Sequence, residues 1–129
     1  MNFDKFTIKA QEALQKAQEL TQLSGQQGIE PAHLLKGIFL VDEHIIPYII
    51  QKHNANVAII KQTLDKIIES YPKVTNGSPY LSNDLNKALQ KALSLLPEFK
   101  DDFVSLEHLF LGILAGNDAC ARMLKDNGL

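Results

Sequence analysis

The chain has 129 residues, enough for one domain with a core of its own. Apolar residues make up 45% and charged residues 22%, and 13 basic and 15 acidic side chains are scattered singly for a net charge of −2. That balance excludes a disordered chain and shows no basic stripe; with Arg122 the only arginine, no nucleic-acid partner is expected.

The single cysteine, Cys120, excludes an intrachain disulfide and a Cys-based zinc site. The start, Asn2-Phe3-Asp4-Lys5, is amphipathic rather than a signal peptide, and no apolar run reaches the length of a membrane span. The expectation is a soluble cytoplasmic protein with no membrane partner.

Helical periodicity runs through nearly the whole chain. Phe6, Ala10, Ala13, Leu14, Ala17 and Leu20 make the first stripe, with Thr7 as N-cap and Gly25 and Gly28 after its end. Pro31 suits the first turn of a short second helix carrying Leu34, Leu35, Ile38 and Phe39. A third is expected from about Glu43 to His53, with Pro47 near its first turn, and a fourth from about Asn56 to Ser70. Residues 72–79, with two prolines and Asn76-Gly77, read as a linker.

After the linker the pattern begins again. Ser82 is an N-cap candidate, and Leu85, Ala88, Leu89, Ala92 and Leu96 form the fifth stripe. Pro97 is expected to end or bend that helix early. Ser105 caps a short helix with Leu109, Phe110, Ile113 and Leu114, and a seventh runs from about Asp118 to Asp126 before Asn127-Gly128.

The halves align at an offset of 75, Ala13-Leu14-Gln15-Lys16-Ala17 recurring as Ala88-Leu89-Gln90-Lys91-Ala92. In the same register Thr7 meets Ser82, Ile29 meets Val104, His33-Leu34 meets His108-Leu109, and Gly37-Ile38 meets Gly112-Ile113. The expected fold is all-α, two helical repeats related by a pseudo-twofold axis, about seven helices in total. Repeat one spans 1–71 and repeat two 80–129. Repeat two stops where an eighth helix should begin, so the chain is expected to be a trimmed piece of something longer.

Catalytic chemistry is not written here. There is no P-loop, no Gly-x-Ser-x-Gly elbow and no His-Glu-x-x-His, so no catalytic residue, metal or cofactor is expected. His33 and His108 sit in first turns, where an imidazole can bond a loop carbonyl or an orphan amide, and His44 and His53 lack an i,i+4 partner of ligand type. Cys120 between two alanines reads as buried filler, and Gly112-x-x-x-Gly116 as close helix packing. Asp101, Asp102 and Glu107 read either as charge favourable to a helix start or as the rim of a peptide groove.

Several segments together resemble one family. Phe6-Thr7-Ile8-Lys9-Ala10-Gln11-Glu12-Ala13-Leu14 resembles the opening of the Clp N-terminal domain in its ClpB form. Ile29-Glu30-Pro31-Ala32-His33-Leu34-Leu35 and Phe103-Val104-Ser105-Leu106-Glu107-His108-Leu109 are similar to its two His-helix starts, and Pro72-Lys73-Val74 to its linker. Ala32, where the ClpC branch has an acid, favours the ClpB branch.

The resemblance implies a non-enzymatic domain that contacts unfolded or aggregated polypeptides, or an adaptor protein, for a hexameric AAA+ disaggregase in the stress response. The ATPase modules would lie elsewhere in the parent. It also implies a client surface of Thr7, Lys91, Leu95, Asp101, Glu107 and His108. The alternatives are an adaptor-docking domain of a ClpC- or ClpA-type unfoldase and a stand-alone helical interaction module.

Overall fold

The computed structural model describes residues 3–75 and 77–129; Asn2 and Asn76, named above at the chain start and in the linker, lie outside them. Among the described residues are seven helices: α1 (Ile8–Leu23), α2 (Pro31–Val41), α3 (Ile45–Lys52), α4 (Val57–Ser70), α5 (Asn83–Phe99), α6 (Leu106–Leu114) and α7 (Ala119–Asp126). Two short strands, β1 (Gly28–Ile29) and β2 (Tyr80–Leu81), complete the order.

The helices start where the sequence gives them a hydrogen-bond acceptor. Thr7 Oγ1 accepts from the Ala10 amide at 3.1 Å, and Ser82 Oγ from the Leu85 amide at 3.0 Å. At α3 one carboxylate serves the whole turn: Asp42 accepts from the amides of His44, Ile45 and Ile46 at 3.0, 3.0 and 2.8 Å. The next residue, Pro47, has no N–H to satisfy, so α3 begins at Ile45, later than the pattern indicated. Burial would raise the Asp42 pKa, but these three amides outweigh it and hold the carboxyl below its ordinary range.

Pro97 does not end α5 early; the helix runs to Phe99. The proline sits in the last turn, where its missing N–H forgoes one hydrogen bond, and Lys100 sets the stop by turning left-handed at φ 55°.

Helices α2 and α6 form the centre. Eight of the eleven residues of α2 and six of the nine of α6 are buried, which explains why their apolar pattern reads as nearly continuous. Helix α1 lies along α2 and α5 along α6. The contact is close because Gly37 and Gly112 have no side chain. A Cβ on Gly37 would run into the Ala13 carbonyl oxygen, and one on Gly112 into that of Ala88. Helices α3, α4 and α7 close the core with Ile46, Ile50, Ile60, Leu64 and Leu124, all nearly fully buried and each stabilising by about 2 kcal/mol.

The halves are stitched to each other by strand pairing that the sequence pattern did not show. β1 pairs in parallel with β2, Ile29 opposite Leu81, and Phe6 forms a parallel bridge with Val104. At the offset of 75, Phe6 corresponds to Leu81 and Val104 to Ile29, so the two pairings are equivalent. The register then slips: the eight-residue α3 and α7 correspond at an offset of 74, Ile46 to Cys120 and Ile50 to Leu124. They end alike, the Ala55 amide reaching the Ile50 carbonyl and the Leu129 amide that of Leu124.

A candidate binding site at the paired starts of two helices

The Phe6–Val104 bridge sets the starts of α1 and α6 side by side. The Thr7 amide donates to the Val104 carbonyl at 2.9 Å, and the Val104 amide to the Lys5 carbonyl at 2.7 Å. Two helix N-termini thus share one end of the molecule, and Glu107 stands exposed in the first turn of α6, where a carboxylate is favoured.

His108 holds that end together. Its Nδ1 accepts the Ser105 backbone N–H at 2.9 Å, so Nε2 carries the proton and donates to Asp101 Oδ2 at 2.9 Å. The ring is buried and its partner carboxylate is half-exposed. Phe99 lies 6.0 Å from the ring, and Phe99 and Phe103, either side of Asp101 in the chain, are 56% and 53% exposed.

Ser105, His108 and Asp101 have the residue types of a hydrolytic triad but not its wiring. The lone pair that would take the hydroxyl proton already accepts the Ser105 amide, and Ser105 Oγ, 3.0 Å from the same Nδ1, competes for it. The arrangement caps a helix rather than activating a nucleophile.

Repeat one contains the same device. His33 Nδ1 accepts the Glu30 amide at 2.9 Å, and Nε2 donates to Gln26 Oε1 at 2.7 Å. Gln26 stands at the offset of Asp101, and its Nε2 donates onward to the Ile68 carbonyl at 2.6 Å. Both His33 and Gln26 are buried, and burial pushes the His33 pKa down to about 4.

The residues expected at a client surface do not all converge. Thr7, Asp101, Glu107 and His108 share the α1–α6 end. Thr7 is half-buried with its hydroxyl engaged in capping, and Leu95 is only 7% exposed on α5. Lys91 opens instead onto a separate cleft of about 340 Å³, with Lys87, Asp84, Gly112, Asn117 and Asp118.

Two further features escaped the sequence reading. An apolar cleft of about 260 Å³ lies beside the β1–β2 pair, walled by Phe3, Leu14, Ile29 and Leu81 and rimmed by Gln11, Gln15 and Gln18. Its only sequence signal is the glutamine spacing along one face of α1. Glu30, Asp84 and Asp118, from the starts of α2, α5 and α7, form an acidic group. Burial first, and this mutual repulsion in part, raise the Glu30 and Asp118 pKa values. Burial likewise pushes the Cys120 thiol up, away from reactivity. Among the described residues no group of three or more His, Cys, Asp or Glu side chains is placed to hold a metal ion, and no helix is long and apolar enough to cross a membrane.

Paired helical repeats around two capped His-helices define a known class of module. The chain belongs to the Clp repeat (R) N-terminal domain family, which it matches over residues 5–127. It is 48% identical over 129 residues to chaperone protein ClpB of Bacteroides thetaiotaomicron, and 44% identical over 128 residues to that of Porphyromonas gingivalis. These matches cover 100% and 99% of the chain but 15% of each relative's length. The Hsp104 N-terminal domain from Candida albicans superposes with a TM-score of 0.85 at 17% identity, covering 98% of this chain and 83% of that one. The N-terminal domain of the ClpV1 ATPase from E. coli gives 0.78 at 22% identity, covering 87% and 68%. These two likenesses establish the fold.

Proposed function

We propose that the chain is the client-receiving N-terminal domain of a ClpB-type ATP-dependent disaggregase of the cytoplasm. In this reading residues 1–129 form one domain, repeat one spanning 1–71 and repeat two 80–129, joined by 72–79. It binds unfolded or aggregated polypeptide without catalysis of its own, and motor modules elsewhere in the parent hexamer supply the work.

The observation that carries the proposal is the 48% identity to a ClpB chaperone across the whole chain, together with the acids and exposed phenylalanines around the α1–α6 end. A receptor for many sequences needs contacts that are weak and non-directional, which exposed aromatic faces provide. Acids beside them speed the approach of basic segments more than they tighten the complex. Several copies on one ring convert weak contacts into useful avidity. In this reading Thr7, Asp101, Glu107 and His108 mark the receiving end, with Leu95 beneath the surface of α5, while Lys91 faces a separate cleft.

The test is an NMR titration of the labelled domain with an unfolded protein, without nucleotide. Shifts gathered on Thr7, Leu95, Asp101, Glu107 and their neighbours are expected. Shifts confined to the cleft beside β1 and β2, or none, would replace the proposal with adaptor docking or a scaffold role.

A further inference from the structure

We infer that Asp101 serves client reception as a positioning residue, through His108, rather than as a charge offered to the client. The inference rests on the reading that clients are received at the α1–α6 end. It separates Asp101 from Glu107, although both are acids at that end.

The argument starts from the turn that ends α5. Lys100 is left-handed, and the Asp101 amide turns back to the Leu96 carbonyl at 2.9 Å. In repeat one Gly25 is left-handed, and the Gln26 amide returns to the Thr21 carbonyl at 2.9 Å. Backbone and ring bonds therefore recur together: turn residue, His Nε2, His Nδ1, helix-start amide. In repeat one the residue accepting from Nε2 is an uncharged amide. The device needs an acceptor at that point and not a negative charge.

Asp101 accordingly has a task that is complete inside the molecule. By accepting from Nε2 it keeps the proton there and leaves Nδ1 free to hold the Ser105 amide. That bond fixes the start of α6, from which Glu107 projects. Without the acceptor the ring keeps only its bond from the Ser105 amide, is no longer held from both sides, and the presentation of Glu107 loosens.

The experiment compares Asp101→Asn, Asp101→Ala and Glu107→Gln for binding of reduced, alkylated lysozyme, an unfolded basic probe. The ring nitrogen shifts of His108 are recorded for each variant. Asn keeps the acceptor and deletes the charge, so Asp101→Asn is expected to bind within twofold of the parent with His108 still protonated on Nε2. Asp101→Ala is expected to shift the His108 Nε2 signal, which has lost its acceptor, and to weaken binding about fivefold, the size of one hydrogen bond. Binding by Asp101→Asn as weak as that of Asp101→Ala, with the His108 shifts intact, would overturn the inference and leave the receiving end in place. Unchanged binding in both Asp101→Ala and Glu107→Gln would overturn the inference together with the site itself.

Discussion

Lys100 holds the left-handed backbone conformation that Gly25 holds at the same point of repeat one, with φ of 55° and 70°. The glycine has no Cβ to crowd the following carbonyl, whereas the lysine carries that cost, about 1 kcal/mol. Lys100→Gly should therefore stabilise the chain by up to about 1 kcal/mol and raise its thermal midpoint by a few degrees. Lys100→Ala, which keeps the Cβ, should not. Calorimetry of the two variants checks this.

Gly112→Ala should act against helix propensity. An exposed helix would gain about 1 kcal/mol from alanine. Here the new methyl meets the Ala88 carbonyl oxygen, a backbone atom that cannot swing aside, so a net loss of about 2 kcal/mol or more is expected. Gly37→Ala should behave alike against Ala13. Urea unfolding gives the sign directly.

His33 makes stability depend on pH. Its pKa falls from 6.5 to about 4 on folding, so the unfolded chain binds the proton more readily. The stabilisation is present above pH 6.5 and is lost as the pH falls towards 4, by roughly 3 kcal/mol in all. Asp42, with its carboxyl held low, works in the same direction at lower pH. An NMR titration should find the His33 ring neutral until about pH 4; protonation near the ordinary histidine value in the folded chain would contradict this.

Asp42→Ala removes the acceptor of three amides at once and should cost about 2 kcal/mol or more. Asp42→Asn keeps one acceptor oxygen and should cost less. Hydrogen exchange at His44, Ile45 and Ile46 should quicken in the alanine variant before the rest of the core responds.

Asp118→Asn should stabilise the domain at neutral pH. Asn caps α7 as well as Asp, while the half-buried carboxylate has a raised pKa, so the native form loses stability as the pH rises through that value. The gain, a fraction of a kcal/mol after solvent screening, should vanish below the ordinary aspartate range. Thermal midpoints at the two pH values give the comparison.

The helices were legible because their signals are local. A stripe such as Ala10, Ala13 and Ala17 and a cap such as Thr7 act within one or two turns, and the repeat offset needed only letters. The strands were not legible, since Gly28–Ile29 and Tyr80–Leu81 are too short to show any alternation. Pro97 misled because a proline in the last turn costs little. The site was half visible. The pattern left His33 and His108 a choice between a loop carbonyl and an orphan amide, and both bind the amide. Their second partners required setting Gln26 against Asp101 at the known offset, a comparison between two dissimilar residues that similarity alone does not draw out. Lys91 fell elsewhere because a position on α5 does not reveal which of its faces meets α6.

The bridge between Phe6 and Val104 joins the residue pair ahead of α1 to the start of α6, almost a hundred residues later in the chain. A ribosome releases Phe6 early and Val104 seconds later, at ordinary synthesis speeds of about 5–20 residues per second. Throughout that interval α1 can form and lie on α2, but the strand that leads into it has no partner. The β1–β2 pairing faces the same wait, because Leu81 also belongs to the later half. Nascent chains of this domain therefore spend their vulnerable time with one half built and its seams open, and the whole closes only once the second half has emerged.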